Sequence, residues 1–78
     1  MNLDLFMYRL RSALEFVENA KVQISKAQLQ CQKVKDENEW LDNAYDLLDT
    51  CDLDINETIE NLNSIINDSV EELKERNE

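Results

Sequence analysis

The sequence contains no glycine, no proline and no histidine. Without histidine, Ser-His and Cys-His nucleophile pairs are excluded, as is every metal set that includes an imidazole. Without glycine, phosphate-cradling loops of the Walker or dinucleotide type cannot form, because they need backbone that no Cβ crowds. Lacking both turn residues, the chain is a poor candidate for a many-turned sandwich or barrel. Long apolar runs are also missing, and none approaches the ~18 residues that span a bilayer. The opening Met1-Asn2-Leu3-Asp4 carries no positively charged stretch before an apolar core, so the sequence reads as cytoplasmic, with no secretory signal. Asn56-Glu57-Thr58 and Asn67-Asp68-Ser69 match the glycosylation sequon, and in an intracellular chain rich in asparagine they read as chance.

The 78 residues present are enough for one domain with a thin core, 42% hydrophobic and 33% charged. From Leu3 to Val34, apolar residues recur in alternating steps of three and four: Leu3, Phe6, Leu10, Ala13, Val17, Ala20, Ile24, Ala27, Cys31 and Val34. That spacing predicts a helix over about 3–34, roughly 48 Å long at 1.5 Å per residue. A rod of that length in so short a chain must lie against another long helix, in the same chain or in a second copy. Leu10, Ala13, Val17, Ala20, Ile24 and Ala27 form the expected self-association seam. Its alanines admit a close neighbour.

A turn is expected at about 35–38. Lys33 and Lys35 suit a helix C-terminus, and Asp36 with Glu39 repeats the capping-box spacing. Trp40 and Tyr45 would then cover the end of the hairpin. A second stripe follows at Leu41, Ala44, Leu48, Cys51, Ile55, Ile59, Leu62, Ile66, Val70 and Leu73. Consecutive steps of four at Cys51-Ile55-Ile59 and Leu62-Ile66-Val70 are phase slips. The first lies beside Asp54 and Glu57, another capping-box pair, so helices of about 37–51 and 55–76 are expected, kinked or split near residue 53. Lys74 and Arg76 suit the last helix end. The fold class is therefore all-α, an antiparallel helical hairpin. A lone hairpin leaves apolar surface wet, so a homo-oligomer is expected, most simply a dimeric four-helix bundle.

Cys31 and Cys51 have no second pair and no histidine, so no structural metal is expected, and both read as buried, inert thiols. In a hairpin turning near residue 36, Cys31 faces about residue 41, which leaves Cys51 some 15 Å too far along for a disulfide. Asp49-Thr50-Cys51-Asp52-Leu53-Asp54 lacks the glycine of a calcium loop. A thin bundle offers no cleft to split the pKa values of paired carboxylates. No enzyme activity and no cofactor are expected.

Charge carries the functional signal. The net charge is −10, unfavourable for direct binding to nucleic acid or an anionic membrane. Residues 1–35 hold six basic and three acidic side chains, whereas residues 36–78 hold fifteen acidic ones against Lys74 and Arg76. Glu39, Asp42, Asp46 and Asp49 recur at helical spacing, forming a row of carboxylates about 5 Å apart that costs the isolated helix a few tenths of a kcal/mol per pair. The sharper expectation is a small regulator or inhibitor that docks this row on a basic surface of a nucleic-acid-binding protein, imitating the charge of its ligand. The plainer reading is a solvated face that keeps the protein dispersed. Two other readings stand beside these: an assembly subunit binding through the apolar seam, and an oligomer binding a small anion through Arg9, Arg11, Lys21 and Lys26.

Overall fold

The computed structural model describes residues 3–76, less the side chains of Lys35 and Arg76. Helix α1 (Leu3–Val34) and helix α2 (Glu39–Arg76) pack antiparallel as a hairpin, joined by a 3-10 turn at Lys35–Glu37 and by Asn38. The product is a rod of 62 × 15 × 15 Å. Among the described residues this is an all-α hairpin, with α1 ending where the sequence pattern ends it.

The turn is built without glycine because no described residue takes a positive φ. After α1 the backbone tightens into the 3-10 turn, and Asn38 then extends (φ −161°, ψ 135°) to reverse the chain. Its Oδ1 accepts the Trp40 amide at 3.0 Å and its carbonyl accepts the Leu41 amide at 3.0 Å. Asn38 is thus the N-cap of α2, answering an amide that the first turn leaves unpaired. The expected Asp36–Glu39 capping box gives way to it, because the helix starts at Glu39 and only Asn38 stands one residue before. Lys33 lies in the last turn of α1, as charge complementarity to the helix dipole favours. The side chains of Lys35 and Arg76, assigned similar roles from sequence, fall outside the described ones.

The break expected near residue 53 is absent: α2 is one helix through 38 residues. The cause lies in which residues face α1. Along α2 the half-buried or buried positions include Leu41, Tyr45, Leu48, Asp52, Ile55, Ile59, Leu62, Ile66, Ser69 and Leu73. Those steps alternate strictly between four and three, an unbroken heptad seam. The phase slips of the apolar stripe come from Cys51 and Val70, which stand beside the seam positions held by polar Asp52 and Ser69. Asp54 and Glu57 do not start a new helix either, and the Asp54 carbonyl accepts the Thr58 hydroxyl at 3.0 Å inside α2.

The same correction applies to α1. Its facing positions are Leu3, Met7, Leu10, Leu14, Val17, Lys21, Ile24, Gln28 and Cys31, again in alternating steps of four and three. Leu10, Val17 and Ile24 from the expected self-association seam are consumed inside the hairpin, whereas Ala13, Ala20 and Ala27 lie one residue off it, on a flank. Ala27 is exposed outright.

Polar residues at seam positions find partners across the interface. Lys21 Nζ pairs with Asp52 Oδ1 at 3.3 Å and also donates to Asn56 Oδ1. Gln28 Nε2 donates to Asp49 Oδ1 at 3.3 Å. The Cys31 thiol donates to the Leu41 carbonyl at 3.2 Å, meeting the residue expected opposite it. Cys31 is buried, Cys51 is exposed, and both are free thiols, so only Cys31 matches the inert, buried reading.

Burial is thin throughout. Leu3, Met7, Ile66 and Ser69 close the end away from the turn and Cys31 is enclosed near it, but among the described residues no large side chain is fully buried. The surface measures 6144 Å², against about 4,900 Å² for a globular chain of this mass. Trp40 is 67% exposed, so it does not cap the hairpin; half-buried Tyr45, one turn on, packs in the seam instead.

Candidate functional site

Because both seams are regular heptads, the residues that flank them sort onto two long sides of the rod. Residues seven apart share a side, and in an antiparallel pair like flanks meet like. Two shallow grooves fix which flank is which. One is lined by Leu3, Phe6, Ile65, Asp68, Ser69 and Glu72, bringing Phe6 of α1 beside Ile65 of α2. The other, across the seam, runs between Leu73 and an α1 stretch that includes Asp4, Tyr8 and Arg11.

Continuing from the second groove toward the turn leads to Glu39, Asp42, Asp46 and Asp49, which are all exposed. These residues share one side of α2, with neighbours three and four residues apart and about 5 Å between their Cβ atoms. Asp49 accepts the Gln28 bond, and Thr50 turns its hydroxyl back to the Asp46 carbonyl at 3.2 Å rather than outward. None of the four carboxylates has an ion-pair partner among the described residues. The next acid in line, Asp52, differs because its position turns it into the seam, where Lys21 meets it. The basic helix therefore neutralises Asp52 and leaves the row open.

The four basic residues considered as an anion site are not brought together. Lys21 is engaged in the seam. Arg9, Arg11 and Lys26 are exposed on different faces of α1, spread over about 25 Å, and the Arg9 guanidinium lies 5.9 Å from the Tyr8 ring centroid.

Continuing from the first groove toward the turn leads to a side of opposite character. On α1 it carries Phe6, Ala13, Phe16, Ala20 and Ala27, and on α2 Trp40, Leu47 and Cys51. Phe16 is 79% exposed and Leu47 59%. The sequence pattern merged this alanine flank with the seam, since both are apolar at heptad spacing. Admitting Lys21, Gln28, Asp52 and Ser69 as seam residues would have separated them.

Among the described residues no group of three or more His, Cys, Asp or Glu side chains is arranged to hold a metal ion, and no helix is long and apolar enough to cross a membrane. No protein-family model matches the chain, and no curated protein or solved structure proves similar to it.

Proposed function

We propose that this protein is a non-enzymatic interaction module, a helical hairpin that presents its row of carboxylates to a basic surface of a nucleic-acid-binding protein. The observation that supports this reading is the placement of Glu39, Asp42, Asp46 and Asp49 on one exposed side, with none of the four in an ion pair among the described residues. A row of negative charge on a stiff rod offers the regularity that a groove built for a phosphate backbone recognises. Its action is competitive occlusion, with association sped by electrostatic attraction and slowed by salt.

The test is capture from the native cell on immobilised protein, comparing the natural chain with the combined Asp42→Asn, Asp46→Asn and Asp49→Asn variant. The reading expects a basic protein that is retained at low salt, released by added nucleic acid and lost with the variant. A partner that binds both forms equally and ignores salt would refute it.

A further inference from the structure

We infer that the alanine side is the contact surface for a second copy of this chain, giving a two-fold symmetric four-helix bundle whose carboxylate rows face outward. Three observations carry this. The first is charge. From Ala13 to Val34 on α1 and from Trp40 to Cys51 on α2, the flank holds no charged residue, with Gln23 and Gln30 as its polar members. In a chain that is 33% charged with a net charge of −10, this is where two like-charged rods approach without setting acids against each other. A partner chosen by charge would meet nothing here to recognise.

The second observation is area. The hairpin exposes about 1,200 Å² more than a globular chain of its mass, and no large side chain among the described residues is fully buried. The uncharged stretch from Ala13 to Val34 runs about 32 Å along a rod 15 Å wide, or about 480 Å² per copy and about 1,000 Å² for the pair, the lower bound of a specific interface. The third is shape. Ala13, Ala20 and Ala27 make a shallow trough on α1, beside which Phe16 of α1 and Leu47 and Trp40 of α2 stand out on the same face. A face that holds both trough and ridges can pack on itself under two-fold rotation.

This geometry places the symmetry axis. The uncharged stretch of α1 is centred between Ala20 and Ala27, level with Cys51, the last residue of the shorter uncharged stretch on α2. Superposing two copies on the α1 stretch brings Cys51 to the level of its counterpart whether the turns lie at the same end or at opposite ends, while Cys31 stays enclosed. The inference stands apart from the acidic-side proposal, because it is read on the isolated protein without a partner.

The experiment is sedimentation equilibrium of the natural chain, of the combined Ala27→Glu and Leu47→Glu variant, and of the Asp42→Asn, Asp46→Asn and Asp49→Asn variant. A dimer of the 9.2 kDa chain is expected for the first and third. In the second, each copy would bury unpaired carboxylates, raising the dissociation constant at least about a hundredfold while helicity by circular dichroism is kept. A short bismaleimide should link native dimers through Cys51, and Cys51→Ser should abolish the link. A monomer at the highest attainable concentration, an assembly larger than two, or a dimer unaffected by Ala27→Glu and Leu47→Glu would each overturn the inference.

Discussion

Replacing both Lys21 and Asp52 with leucine should make the hairpin more stable. Lys21 and Asp52 occupy facing seam positions with 37% and 25% of their side chains exposed. An ion pair that wet is worth at most about 1 kcal/mol. Full burial of a leucine side chain contributes about 2 kcal/mol, so about 1.5 kcal/mol is expected at the Asp52 position. The gain at Lys21 is smaller, about 0.5 kcal/mol, because the lysine stem already covers apolar surface. Asn56 loses a donor but is only half-buried, and water replaces it. The net change is a stabilisation of about 1 kcal/mol, or roughly 4–8 °C in the melting temperature of a domain this size. Urea titrations followed by helical circular dichroism, at one fixed protein concentration, measure it. The two single alanine variants and their double should also show a coupling of about 0.5–1 kcal/mol. A double-leucine protein that unfolds more readily than the natural one would refute the reasoning, since the pair would then be worth more than its exposure allows.

Asn38→Ala removes the cap of α2 and should cost about 1 kcal/mol by the same titration, while Asn38→Asp should cost little. The Asp42→Asn, Asp46→Asn and Asp49→Asn variant relieves repulsion along the row and should gain about 0.5–1 kcal/mol at low salt, a gain that shrinks as salt is added. The natural protein should itself melt higher with rising salt, because screening reduces the self-repulsion of its −10 charge. Cys31 should resist maleimide labelling in the folded protein and react once urea unfolds it, as mass spectrometry of the labelled chain would report.

Much of this architecture was legible in the residues. Helix α1 and the turn follow from apolar recurrence and from the change of charge at residues 33–39, and the meeting of Cys31 with Leu41 follows from helix rise alone. What was not legible shares one cause. A pattern search that counts only apolar residues assigns a seam to whichever hydrophobic neighbour lies closest, and here the seam admits Lys21, Gln28, Asp52 and Ser69 because partners across the interface satisfy three of them directly. That misassignment produced the false break near residue 53 and hid the alanine flank within the seam. The exposure of Trp40 follows from the same register, since Leu41 and Tyr45 hold the seam and Trp40 stands one residue off it. The acidic row needed no such knowledge: its spacing put it on one face, and its distance from the stripe put that face outside.

The chain changes direction at a place where almost nothing forbids it from going straight on. Lys35, Asp36 and Glu37 already turn helically, and one extended residue separates them from α2. Straightened at Asn38, residues 3–76 would form a shaft of about 110 Å. Two such shafts laid head to tail would rebuild every cross-helix pairing of two hairpins, with each arm borrowed from the neighbouring molecule. Hairpins and arm-exchanged pairs would therefore share one set of cross-helix contacts and differ at the extended backbone of Asn38.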